Sequence, residues 1–171
     1  MPPVIGLEPF HIKEHMKSKG EFQLALGRAL GQWALIEERL SYWFEDATGM
    51  PNEMARAIFF APRTFTGRAD LLEAARKHSD RLRPCAGEFI KEATRKAGQF
   101  ASFRNRIAHG EQSFDVRKES PTFKQTILIS GRYHPEKAAD NAITIDQLNA
   151  AKENFRELGS GPINFQDSSF G

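Results

Sequence analysis

From Glu21 to Thr48 the apolar residues Phe22, Leu26, Ala29, Trp33, Ile36, Leu40, Trp43 and Ala47 recur at alternating steps of four and three. That spacing lays one hydrocarbon stripe along a helix and predicts a long amphipathic α-helix, stopped by Gly49 and Pro51. Its opposite side carries Leu24, Gly27, Gly31, Leu35 and Tyr42. Two glycines four apart would let another backbone approach, so this helix is expected at the centre, packed on two sides. A shorter helix is expected over 52–60, ended by Pro62, and another over 64–78 with Leu71, Leu72 and Ala75 inward. Pro84 suits the first turn of a further helix over 85–109, and Gly110 suits its stop.

Beyond Gly110 the pattern changes period. Residues 114–116 and 122–129 alternate and are rich in β-branched side chains, which predicts two short strands interrupted by Pro121. A hairpin of that size is marginal alone and must pack on the helices. A last helix is expected from Asp146 to Leu158, with Leu148, Ala151, Phe155 and Leu158 on one face and Gly159 at its end. The fold class is therefore all-α in the main, an antiparallel helical bundle with a small β-hairpin excursion before the last helix. Residues 1–20 read as an N-terminal extension, 21–158 as one helical domain, and 159–171 as a flexible tail rich in Gly, Ser and Pro.

Composition narrows the class. With 40% hydrophobic and 27% charged residues among 171, the chain has the balance of a soluble globular domain with a substantial core. The single cysteine, Cys85, excludes an internal disulfide and fits a reducing cytoplasm. Prolines at 2, 3 and 9 interrupt any signal-peptide core, and no apolar run approaches the roughly 20 residues that span a bilayer. A cytoplasmic protein without membrane contact is expected. The net charge of +2 is small but uneven, because residues 63–106 hold 11 Arg and Lys against 5 Asp and Glu. Arginine in such a segment suits phosphate contacts, since guanidinium groups bind phosphate as a fork.

The basic segment ends in Arg104-Asn105-Arg106-Ile107-Ala108-His109-Gly110. On the helix expected over 85–109, Phe89, Ala93, Ala97, Phe100 and Ile107 share one stripe, and Arg104 falls in its middle. A guanidinium cannot escape burial by deprotonation, so it needs a facing carboxylate, phosphate or polar groove. Glu37 lies beside Trp33 and Leu40 on the inward stripe of the first long helix, and Arg104 is its expected partner. Asn105 and His109 are four apart and neighbours on an adjoining face.

The run from Arg104 to His109 resembles the R-x(4 to 6)-H signature of the HEPN superfamily, the higher eukaryotes and prokaryotes nucleotide-binding domains. Its polar residue after the arginine is Asn105, and the long first helix bearing Trp33-Ala34-Leu35-Ile36-Glu37 precedes it as in that superfamily. The resemblance implies a homodimer that brings two motifs into one cleft. It further implies a metal-independent endoribonuclease that leaves 2′,3′-cyclic phosphate ends, with Arg104, Asn105 and His109 catalytic. Arg95 and Arg106 are the expected RNA-binding residues, and Glu37 the structural support. It implies no cofactor and no metal, a role as a toxin or antiphage effector, and an antitoxin or regulatory partner. The chain departs from many toxin members at Glu111, where they carry a tyrosine that a partner nucleotidyltransferase modifies. Some HEPN domains are non-catalytic, and the alternative is a helical dimer that binds nucleic acid or a protein.

Other chemistry finds little footing. There is no glycine-rich phosphate loop with its lysine, no His-Glu-x-x-His helix and no cysteine pair. His11 and His15 are four apart without a third ligand nearby in sequence. Trp33 and Trp43 read as core, Phe59 and Phe60 as an anchor between helices, and Phe165 and Phe170 as docking residues of the tail.

Overall fold

The computed structural model describes residues 9–130 and 141–160. The first eight residues of the expected extension, and residues 161–171 of the expected tail with Phe165 and Phe170, lie outside the described residues. The element order is α1 (Pro9–Thr48), α2 (Asn52–Phe60), α3 (Phe65–His78), α4 (Pro84–His109), β1 (Gly110–Phe114), β2 (Thr126–Ser130) and α5 (Ile145–Gly159). The fold is mainly helical, with one small antiparallel sheet before the last helix. No helix among the described residues is long and apolar enough to cross a membrane.

Helix α1 begins at Pro9, so residues 9–20 of the N-terminal extension belong to the same helix as the stripe from Glu21 onward. Its buried stripe is Phe22, Ala25, Ala29, Trp33, Ile36, Leu40, Phe44 and Ala47. Leu26 and Trp43 from the expected stripe are only half-buried. A strict four-three repeat drifts by about 20° per heptad against a straight helix, which hands the ends of the stripe to Ala25 and Phe44. The side expected to receive a second neighbour is open: Leu24, Leu35 and Tyr42 are 54%, 55% and 47% exposed. A Cβ added at Gly27 or Gly31 would meet nothing within 4 Å. Gly49 ends α1 at φ +65, a left-handed conformation that favours glycine, and its N–H returns to the Glu45 carbonyl.

By backbone packing the described residues fall into two compact units, one of residues 9–30, 105–130 and 141–152 and the other of 31–104 and 153–160. The core of the first is built from Phe22, Ala25, Ala29, Ile107, Ile127, Leu128, Ile143 and Leu148. Here β1 pairs with β2 from Gly110↔Ser130 to Phe114↔Thr126, and β2 is bonded on its other side by Ile143, which exchanges both backbone hydrogen bonds with Leu128. Strand β1 thus starts and ends earlier than the sequence pattern placed it, and β2 starts and ends later. A Cβ on Gly110 would come within 2.5 Å of the Leu128 side chain and 2.9 Å of the Arg106 carbonyl. Gly110 follows the last residue of α4, as expected of a helix stop, and also sits so close to Leu128 of β2 that a Cβ has no room. Helix α5 is started by a reciprocal cap: the Thr144 N–H donates to Gln147 Oε1 and the Gln147 N–H to Thr144 Oγ1.

The second unit is held by aromatics. Trp33, 1% exposed, meets Phe65 and Phe155 with ring centroids 5.3 Å away, and Phe100 meets Phe155 at 5.6 Å. Trp43 meets Phe89 edge to face. Phe59 is fully buried against Phe44 and Phe60, as an anchor between helices requires. Thr64 caps α3 by accepting the Gly67 N–H at 3.1 Å, which explains why that helix starts where it does.

Candidate functional site

Helix α4 carries the motif in its last turns. Its buried positions are Ala86, Gly87, Ile90, Ala97 and Ile107, with Phe89, Ala93, Phe100 and Arg104 half-buried beside them. Arg104 lies at the margin of the stripe rather than deep within it, its side chain 28% exposed. Asn105 and His109 are exposed and one helical turn apart. His109 is the last residue of α4 and Gly110 the first of β1, so the Leu128 contact at Gly110 fixes the chain immediately after the imidazole.

Glu37 faces arginine, but in the first place a different one. Arg68 Nη1 on α3 donates directly to Glu37 Oε1, whereas Arg104 Nη2 stands 3.8 Å from Glu37 Oε2. At that separation the Arg104 contact is an ion pair without hydrogen-bond geometry. Arg68 is further held by donating Nε to the Pro62 carbonyl at 3.1 Å and by lying 5.4 Å from the Phe60 ring centroid. The side chains of Glu37 and Arg68 are only 12% and 14% exposed. Arg68 was visible in the sequence merely as one arginine of a basic segment. Its partner lies 31 residues away on another helix, and no local pattern announces that pairing.

The two expected RNA-binding arginines have partners of their own. Arg95 forms a two-pronged fork with Glu92 on the same helix, at 2.8 and 2.7 Å. It also lines an open groove of about 470 Å³ whose walls include Phe89, Gln99, Phe100 and Asn154. Arg106 donates Nη2 to the Asn141 carbonyl at 2.7 Å, which ties the end of α4 to the segment before Ile143. Much of the positive charge counted over residues 63–106 is paired in this way, because Arg76 likewise forks Glu73 at 2.7 and 2.8 Å. The fork draws the Glu73 carboxyl down to about 2, by hydrogen bonding from Arg76 more than by charge alone.

A second carboxylate was not anticipated at all. Asp115, 3% exposed, follows β1 and accepts from the Arg117 backbone N–H, Nε and Nη2, from Ser120 Oγ and from Thr122 Oγ1. The Arg117 guanidinium, followed by these hydroxyls, holds its carboxyl well below the usual carboxylate range. Lys124, at φ 61, closes the loop by donating its backbone N–H to the Asp115 carbonyl. With every acceptor site taken, Asp115 is a structural knot of its loop.

No group of His, Cys, Asp and Glu among the described residues could hold a metal ion. His15 instead stacks edge to face on Phe114 at 4.5 Å. Cys85 is an exposed free thiol. No family model matches the chain, and comparison with curated proteins and with solved structures gives no match either.

Proposed function

We propose that the chain is a metal-independent endoribonuclease of the HEPN type, working as a homodimer with Arg104, Asn105 and His109 of both copies in one cleft. The observation that carries the reading is the end of α4, where Asn105 and His109 are exposed one turn apart beside an arginine paired loosely with its carboxylate. In such a cleavage the ribose 2′-oxygen attacks the adjacent phosphorus while the bond from phosphorus to the 5′-oxygen breaks. One histidine accepts the 2′-hydroxyl proton and the second donates a proton to the departing oxygen, each contributing about 10²- to 10⁴-fold. Arg104 supplies fixed positive charge to the phosphate oxygens, and Asn105 orients the imidazole or hydrogen-bonds the RNA. The biological setting we propose is a cytoplasmic toxin or antiphage effector held by an antitoxin or regulatory protein.

The test is RNA cleavage by purified wild type and His109→Ala in the presence of a chelator, with end-group analysis. Histidine-dependent cuts that leave a cyclic phosphate are expected. A folded dimer that cleaves no RNA across varied substrates overturns the catalytic reading.

The second reading, a non-catalytic helical module, is favoured by the outer face of α1. Leu24, Leu35 and Tyr42 stand exposed there, with Lys17 and Arg28 toward the helix start and Glu38 and Glu45 toward its end. Single cysteines placed at Leu35 or at Asn105 in a Cys85→Ser background separate the readings. Cross-linking at Asn105 supports the composite cleft, and cross-linking at Leu35 alone supports the module.

A further inference from the structure

We propose that the outer edge of β1 is a docking site for an extended, basic segment of a regulatory protein, which adds as a strand and covers His109. The inference rests on the reading of the end of α4 as an RNA site and names how a partner silences it. The direction of each backbone group follows from the pairing. Leu128 exchanges both its backbone hydrogen bonds with Ile143, and the Thr126 N–H donates to Ser18 Oγ at 2.9 Å, so both residues direct their N–H away from β1. Gln112 and Phe114 stand directly opposite them and therefore point their own N–H and C=O outward. The Asp115 N–H, one residue on, donates inward to the Gln125 carbonyl at 2.9 Å, as the alternation requires. Among the described residues no backbone or side-chain group bonds the outward N–H and C=O of Gln112 and Phe114. Ile143 and Ser18 thus close the edge at β2, while the edge at β1 is open.

Edge strands in stable proteins are blunted by proline, lysine or a cover, and between Gly110 and Phe114 there is neither proline nor lysine. One face of the strand is taken, since Gln112 accepts from Gln23 Nε2 at 3.4 Å and His15 stacks on Phe114. Glu111 and Ser113 are exposed on the other face, and no cation among the described residues pairs with Glu111. An added strand therefore meets the outward groups of two residues at the edge and one carboxylate on the open face, which calls for a lysine or arginine opposite Glu111. A second copy of the chain fits worse. Five residues paired with five cover far less than the roughly 1,600 Å² of a standard stable interface. Antiparallel self-pairing about Gln112 sets a serine, not a cation, opposite Glu111, and holds the two His109 residues about 20 Å apart, too far to share one phosphate. A peptide strand needs no such area, because main-chain hydrogen bonds carry it. It has only to run about 10 Å past Gln112 to lie along His109.

The experiment titrates the full-length protein with three seven-residue peptides of alternating threonine and valine, blocked at both ends, and follows backbone amides by ¹⁵N NMR. The first carries a central lysine, the second a central glutamate, and the third is the lysine peptide with its backbone nitrogens methylated. The lysine peptide is expected to shift the Gln112 and Phe114 amides beyond those of Glu111 and Ser113. The glutamate peptide should bind about fivefold more weakly, the scale of one cross-strand charge pair. Glu111→Lys should reverse that preference. Gln112→Pro removes an outward donor and spares the inward ladder, so binding should be lost while circular dichroism stays that of wild type. RNA cleavage should fall as the lysine peptide fills the edge. Unmoved amides at Gln112 and Phe114, equal binding of the methylated peptide, or an unreversed preference in Glu111→Lys overturns the inference, and the last is readable even where Gln112→Pro folds poorly. Protection of the Gln112 amide that grows with protein concentration alone assigns the edge to a second copy and overturns it too. A peptide that docks while histidine-dependent cleavage continues unchanged overturns the silencing of the site. Docking on a protein that cuts no RNA leaves the edge site standing and overturns the ribonuclease reading.

Discussion

Asp115 and Glu37 are both carboxylates drawn out of solvent, one in each compact unit, and they are satisfied in opposite ways. Asp115 is met within its own loop, by groups two to seven residues away, and only one of its partners is charged. Glu37 is met across helices by two guanidiniums, from residues 31 and 67 positions distant in the chain. The first arrangement is neutral and saturated, so it has nothing left to offer a ligand. The second joins three helices, α1, α3 and α4, through one carboxylate, and its Arg104 side chain is 28% exposed. A buried carboxylate is therefore no mark of a site by itself; what distinguishes the two is whether the partners come from its own loop or from other helices.

The largest effect on stability is expected at Asp115. Asp115→Ala strands the Thr122 hydroxyl and the donors of Arg117 and should cost about 3 kcal/mol, read as a shift of the denaturant midpoint. A cost below the scatter of surface substitutions would mean that the loop closes without its carboxylate. Glu37→Ala should cost about 2 kcal/mol, less than a fully buried pair, since Arg104 reaches water. Melting behaviour identical to wild type would show that the two arginines do not need it.

Acid sharpens the contrast further. The folded-state carboxyls of Asp115 and Glu73 are both lowered, that of Glu73 from 4.5 to about 2. Each therefore contributes stability that is present above its ordinary value and is lost as the pH falls through the lowered one. Unfolding free energy should fall as the pH drops from 4.5 toward about 2 through Glu73, and Asp115→Asn should fall less steeply than wild type below pH 3.8. Parallel profiles would remove Asp115 as a source of the acid lability. The smallest change is expected for Arg117→Ala, about 1 kcal/mol or less, because that side chain is 48% exposed and two hydroxyls remain on the carboxylate. A loss as large as that of Asp115→Ala would make the guanidinium, and not the hydroxyls, the centre of the knot.

How far the sequence could be read depended on the range of the interaction. The helices were legible because their apolar residues repeat at helical spacing and their ends carry Gly49, Pro51, Pro62 and Pro84. The motif was legible as a run of residues, and the inward placing of Glu37 followed from its position between Trp33 and Leu40. The Thr144 and Gln147 cap and the Asp115 knot were local enough to be found, by Thr-x-x-Gln before a helix and by an Asp followed by Ser and Thr in a turn-rich stretch. The hairpin bounds were missed because alternation weakens where a strand starts directly from a helix, as β1 does after His109. Arg68 had no local sign.

The sequence by itself determined the helical class, the order of the elements and the hairpin before the last helix, since periodicity and chain breakers act over a few residues. It also determined that an arginine, an asparagine and a histidine share the end of one helix. Only the tertiary structure decided which arginine holds Glu37, that Arg95 and Arg106 are already engaged, and that the outer face of α1 is open in the single chain. The physical reason is common to all three. A side chain's partner is chosen by which helices meet and at what depth, and that is a property of packing between distant segments, which spacing along one segment does not encode.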